Sequence, residues 1–255
     1  MKIIVCYKLV PEEQDIEIKR DHTLDFSRAQ WKVGEFDLIA AEAGMMLVEA
    51  VGGETVALTA GGGAIVDNSK LQKAILSRGL GQMYGIKDDA LATADSYATA
   101  EILKAGVERI GDADLVLCGE GSGDIYARQV GSVLGAMLGW RTVNAVSKLT
   151  VEGGKLIVER SLENSVEVLE VTLPAVISVT TDLNKPRIPG MKDILAAGKK
   201  PTTVWSLADM GVGVNSVTET LSVLAPEQTD RMQIIIEGDS AENIEELYSH
   251  LRKAL

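Results

Sequence analysis

Histidine and cysteine are both scarce in this chain of 255 residues, with His22, His250, Cys6 and Cys118 the whole complement. Neither histidine has a cysteine or a second histidine at ligand spacing, so a zinc site is not expected and no other metal-ligand set stands out. No Gly-x-Ser-x-Gly elbow is present, and Ser122 has no evident histidine base, so nucleophilic hydrolysis finds no support. Positive charge is short as well: 25 Lys and Arg stand against 37 Asp and Glu, for a net charge of −12. Nucleic-acid binding needs a basic face to neutralise phosphates, and an anionic membrane surface would repel such a chain. No apolar run reaches the roughly 20 residues needed to cross a bilayer. The opening residues lack the apolar region and small-residue cleavage site of a secretory signal. The expected place is therefore the cytoplasm, with Cys6 and Cys118 as small reduced hydrophobes at strand ends.

What is present is an alternation of strand-like and helix-period segments. Lys2–Tyr7, Glu54–Ala60, Gln82–Ile86, Leu115–Cys118 and Thr142–Leu149 read as strands. Between them, helices are expected over Phe36–Val51, Asn68–Ser77, Thr93–Ile110 and Ile125–Leu138, with Glu42 and Glu49 on the exposed side of the first. This predicts an α/β, Rossmann-like parallel sheet with helices on both faces. Beyond residue 150, Lys155–Arg160 and Val166–Thr172 read as an antiparallel hairpin within 155–172, and Ala175–Val179 as a further strand. A loop precedes a short helix at Met191–Ala197, in a segment spanning 184–198. Residues 1–200 then form the α/β domain, and 201–255 an arm. In the arm, Val204–Thr220 has weak signals, Met232–Ile236 reads as a strand, and Ala241–Ala254 as a helix with Ile244, Leu247 and Leu251 in a stripe. That stripe suits either a partner or the chain's own domain.

The most informative stretch runs from Asp114 to Gly131: an apolar strand, a turn holding Gly119, Gly121 and Gly123, then helical spacing. Backbone N–H groups in such a loop, with the unpaired donors and partial positive charge of a helix start, suit a phosphate. The spacing matches neither the dinucleotide fingerprint nor the P-loop, so an ordinary strand-to-helix turn explains it equally well. Asp124 is expected to open the helix, as a cap or a ribose contact. Ligands of parallel sheets sit at the strands' carboxyl ends, which brings the loops after Tyr7, Ala60 and Cys118 to one edge. With no acid, base or metal to accompany it, such a pocket implies binding rather than catalysis.

Several segments together resemble the β subunit of electron-transfer flavoproteins: Val5–Pro11, Phe36-Asp37-Leu38 with Ala41-Glu42-Ala43, Cys118–Asp124 with Gln129-Val130-Gly131, Val158-Glu159-Arg160, Leu173–Val176 and Asp182–Arg187. The Pro11–Asp15 start and the Ile188–Lys192 loop are most similar to the Fix-type branch. The resemblance covers nearly the whole chain and implies a heterodimer. In it, an α subunit carries the redox-active FAD, while the β subunit supports that FAD domain and buries AMP, or a second FAD that meets NADH in electron-bifurcating members. By position, the nucleotide contacts fall on Cys6, Gly34, Glu35, Phe36, Asp37, Ala60, Gly119, Glu120, Gly121, Ser122, Gly123, Asp124, Gln129 and Val130. The resemblance also implies docking of flavin dehydrogenases or a membrane quinone oxidoreductase through Met191, Ile194 and Leu195, with the 201–255 arm packing on the α subunit. An electron carrier without its own catalytic residues follows. Gly34-Glu35 and Asp124-Ile125-Tyr126-Ala127 stand where many members carry Asn-Pro and Asp-x-Asp-Thr, so the second acid and the threonine hydroxyl are missing. A nucleotide-binding regulatory module of similar fold is the reading from another class.

Overall fold

The computed structural model describes residues 1–227 and 233–254. Its main sheet is built from strands too apolar to face water: β1 (Lys2–Cys6), β2 (Glu54–Gly61), β3 (Gln82–Lys87) and β4 (Leu115–Gly119). Then come β5 (Arg141–Glu152), β6 (Lys155–Ser161), β7 (Val166–Val171), β8 (Ala175–Val179) and β9 (Thr202–Ser206). The nine lie in the order β7-β6-β5-β8-β4-β1-β2-β3-β9. From β5 to β9 across that order every pairing is parallel, while β5–β6 and β6–β7 are antiparallel.

Alternation along β1 sends its side chains into two cores. Ile3 and Val5 join Leu115, Leu117 and Ile177 beneath α1 (Glu35–Val51) and α2 (Ser69–Leu76). Ile4 and Cys6 join Val116, Cys118 and Val176 beneath α3 (Ser96–Ile110) and α4 (Val130–Leu138). Each fully buried Ile, Leu or Val contributes about 1.5–3 kcal/mol by leaving water, which is what holds helices on both faces. In α1 the buried Ile39, Ala43 and Leu47 recur every four residues, so one side of the helix covers the sheet. The α/β, Rossmann-like expectation holds: a large, mostly parallel sheet lies between two helical layers.

Strand order reverses at β1. The chain goes from β1 to β2 and β3 on one side, then crosses back so that β4 pairs with the other side of β1. The crevice between the carboxyl ends of β1 and β4 is therefore the topological switch point, where ligands of such sheets collect.

Several elements differ from the sequence reading. The helix expected from Ile125 starts at Val130, because Tyr126 and Arg128 have left-handed backbones with φ of 51° and 59°. Thr93 belongs to a 3-10 turn at Asp89–Thr93, and α3 begins only after Asp95, whose carboxylate caps it by accepting from Ala98 N–H at 2.8 Å. The expected hairpin forms as β6 and β7 and extends the main sheet through the 12-residue β5. Thr202–Ser206, without a strong signal of its own, is an edge strand beside β3. Leu9–Pro11 and Trp31–Val33 make a small antiparallel pair that the polar surroundings hid. Of the strand expected at Met232–Ile236, Met232 lies outside the described residues, and Gln233–Ile236 are not in a strand.

Two compact units divide the chain. Met1–Glu17 with Asp25–Ser222 contains the whole nine-stranded sheet. Ile18–Leu24 with Val223–Leu255 contains a Thr23–Leu224 bridge and α6 (Ala241–Ala254), along which Ile244, Leu247, Tyr248 and Leu251 are exposed.

Candidate functional site

Asp37 is the hub of the β1–β4 crevice. It sits in the first turn of α1, is buried, and accepts from Lys8 N–H at 2.6 Å with one oxygen and from Gly119 N–H at 3.2 Å with the other. Burial lifts its carboxyl to about 7, against the downward pull of those two N–H groups and of the Lys8 ammonium. The neighbouring backbone must be bare for this to fit. A Cβ on Gly119 would stand 2.5 Å from Phe36 Cβ and 2.7 Å from Asp37 Oδ1. Gly34, the N-cap of α1, donates to Lys8 O at 2.9 Å, and a Cβ there would lie 2.9 Å from Asp37 Oδ2. Glu35, between them, is exposed.

The loop after β4 is organised by its own side chains. Glu120 continues the ladder, its N–H donating to Val179 O at 3.0 Å. The Tyr126 hydroxyl donates to the Glu120 carboxylate, and the Arg128 guanidinium reaches the other Glu120 oxygen at 3.3 Å. The Tyr126 ring packs 5.3 Å from Phe36 and covers Gly121, and Arg128 lies 5.7 Å from that ring's centroid. Left-handed backbones at non-glycine residues cost about 1–2 kcal/mol each, which these contacts offset. Gly119 and Gly121 thus make room for Phe36, Asp37 and Tyr126. Close approach to a ligand was the expected reason for both.

Asp124 does not open a helix; it lies six residues before Val130. The Lys8 ammonium donates to both its oxygens, at 2.6 and 2.8 Å. Burial raises its carboxyl, but Lys8 and the Ser122 hydroxyl outweigh that and hold it below the usual range. Gln129 is the N-cap of α4, and among the described residues no side chain caps this helix. Lys8 and Arg128 neutralise Asp124 and Glu120, so the mouth of the crevice is near charge balance, with the N–H groups of α4's first turn unused by any cap.

The remaining residues lie around this junction. The Cys6 side chain turns into the core with Cys118, whose thiol, together with burial, pushes the Cys6 thiol well up. Only the main chain of Cys6 is left for the crevice. Ala60 is the penultimate residue of β2, beside Gly61–Gly63 and on the far side of β1 from β4, where the Thr59 hydroxyl donates to Tyr7 O at 2.7 Å. Gly34–Asp37 and Gly119–Asp124 are brought together by the contacts above, and Gln129 and Val130 follow at the start of α4. Sequence reasoning missed Lys8, Tyr126 and Arg128. Lys8 was the most accessible of the three, as the first polar residue after a buried strand.

Met191, Ile194 and Leu195 lie on α5 (Met191–Ala197) and are 72%, 44% and 67% exposed, beside Ile188 at 93%. The loop before α5 is fastened to α1. Arg187 engages both oxygens of Glu42 at 2.8 and 2.9 Å and Glu49 at 2.8 Å. Glu42, expected on the exposed side of its helix, is buried in this pairing. Burial raises its carboxyl, and Arg187 more than reverses the effect. Asn184 donates to Ile39 O at 3.0 Å, and Arg78 to Arg187 O at 2.6 Å.

Among the described residues no helix is long and apolar enough to cross a membrane. The model of the electron transfer flavoprotein domain matches residues 22–210, which take in α1, the Gly119–Val130 loop and α5. The chain belongs to the electron transfer flavoprotein family.

Proposed function

We propose that this chain is the β subunit of a Fix-type heterodimeric electron-transfer flavoprotein, a cytoplasmic carrier subunit that holds a buried AMP and supports the FAD domain of an α subunit. The observation that carries this reading is the β1–β4 crevice. Two backbone segments, Gly34–Asp37 and Gly119–Asp124, meet there beside a helix start without a side-chain cap. Helix N-termini favour anions, and the charge balance around Lys8, Asp124, Glu120 and Arg128 leaves that preference intact. The first turn of α4 and the loop before it would hold the phosphate, with the main chain at Cys6 and Ala60 bordering the nucleoside. The redox chemistry belongs to the FAD of the α subunit when that flavin is bound.

The exposed Met191, Ile194 and Leu195 form an apolar surface on a firmly anchored helix, which suits docking of flavin dehydrogenases or a membrane quinone oxidoreductase. The apolar stripe of α6 supports packing of the arm on the α subunit.

The test is to coexpress the chain with an α-type subunit, denature the purified complex and identify the released nucleotides by mass spectrometry. One FAD and one AMP per heterodimer is expected. Two FAD and no AMP would replace this with the bifurcating reading, in which the second FAD takes a hydride from NADH. A colourless complex without nucleotide would overturn both.

A further inference from the structure

We infer that Asp37 is a positioning residue, a staple that fixes the carboxyl ends of β1 and β4 at the separation the nucleotide crevice requires. The inference rests on the nucleotide reading for its functional consequence, but its structural part stands on contacts within this chain.

Three independent features converge on one side chain. First, the two carboxylate oxygens serve different elements, Oδ2 the N–H of Lys8 after β1 and Oδ1 the N–H of Gly119 at the end of β4. These two elements flank the strand-order reversal, so the carboxylate spans the crevice rather than facing it. Second, Gly34 and Gly119 are both shaped around it, since a Cβ at either position would come within 2.9 Å of a carboxylate oxygen. Third, Asp37 stands in the first turn of α1, whose exposed N–H dipoles favour a negative charge. Gly34 N–H also donates to Lys8 O, so the α1 start and the β1 end are joined in both directions.

A charged carboxylate can accept from both N–H groups, whereas a protonated one puts a hydrogen on one oxygen and loses an acceptor. The staple should therefore tighten as Asp37 ionises. Lys8 and Asp124 face it from the loops after β1 and β4, Tyr7 from just after β1 and Cys6 from the end of β1. The Lys8 ammonium favours the ionised form and Asp124 opposes it, while burial acts hardest against it.

The primary test needs no variant. In the isotopically labelled full chain, the amide protons of Lys8 and Gly119 should shift together through one midpoint near neutral pH. Amides that titrate with separate midpoints, or that exchange with solvent like those of an open loop at every pH, would overturn the staple. The second test compares wild type with Asp37→Asn, whose size is kept while one acceptor becomes a donor facing an N–H. Calorimetric titration with AMP at pH 6 and pH 8 should show binding about tenfold weaker in the variant at pH 8, the cost of one unsatisfied buried donor. The difference should narrow at pH 6, which a purely structural defect would not produce. Equal AMP affinity in a variant whose Lys8 and Gly119 amides exchange faster would overturn the functional part. Wild-type chain that takes up no AMP would count against the nucleotide reading, and the amide titration would still decide the staple.

Discussion

The pH dependence of stability isolates what Asp37 does as a single residue. In the unfolded chain an aspartate ionises near 3.9, and in the folded chain burial moves this one to about 7. Between those values the folded state holds a proton that the unfolded state has lost. The stability Asp37 contributes is therefore fully present below about pH 4 and is lost as pH rises through 7. Urea midpoints of wild type minus Asp37→Asn should fall between pH 4.5 and 7.5 and level off above pH 8. A difference that is flat with pH, or that rises, would show the carboxyl to be ionised throughout. The sequence marked Asp37 as a site residue only through the family resemblance, because a buried carboxylate at a helix start looks like any first-turn acid. Cys6 was expected as a small hydrophobe at a strand end and is buried there, since the apolar run of β1 dictates burial, while only the fold sets Cys118 beside it. Gly119 was singled out for close approach to a ligand, yet its closest demand comes from Phe36, which only the fold brings near.

At the scale of elements, α5 owes its position to the loop before it. Arg187 connects that loop to Glu42 and Glu49 on α1, and removing the guanidinium leaves the buried Glu42 without its main partner. Arg187→Ala should lower stability by about 1–3 kcal/mol and open residues 184–198 to limited proteolysis. Cleavage kinetics with a nonspecific protease check this, and an unchanged cleavage rate would contradict the anchoring role. Legibility among the elements followed periodicity. The buried strands and α1 were readable because apolar spacing alone determines them. The start of α4 was not, because Ile125 continues the apolar rhythm while being 70% exposed, and the left-handed Tyr126 and Arg128 break the helix for reasons of side-chain contact. Glu42 defied its period for a similar reason, its partner lying 145 residues away in sequence. β9 was missed because half-buried edge strands carry a weak pattern, Val204 and Trp205 alone being large and apolar.

The nine-stranded sheet combines a parallel part between two helical layers with an antiparallel extension. Alternating β and α segments made the first part legible, and the hairpin signal the second. Their fusion into one sheet was not readable, since it depends on the 12-residue β5 continuing past its parallel pairing with β8. That extension ends at β7, whose outer row of backbone groups has, among the described residues, no neighbouring strand in the sheet. Val166 and Val168 are 58% and 66% exposed there, and Glu170, two residues on, is held by Lys155 at 2.9 Å. An open strand margin with apolar side chains is a template for growth by a second chain, and a charge within it acts as a gatekeeper. Glu170→Val would extend the apolar row along that margin. Light scattering should then show assembly that rises steeply with protein concentration at unchanged secondary structure, and scattering equal to wild type would absolve the edge. The net charge of −12 works in the same direction as Glu170, since chains of like sign approach each other reluctantly. β7 thus makes colloidal behaviour a property of one residue and its ionic surroundings. Added salt, by screening that repulsion, should shorten the time that concentrated solutions of this chain stay clear.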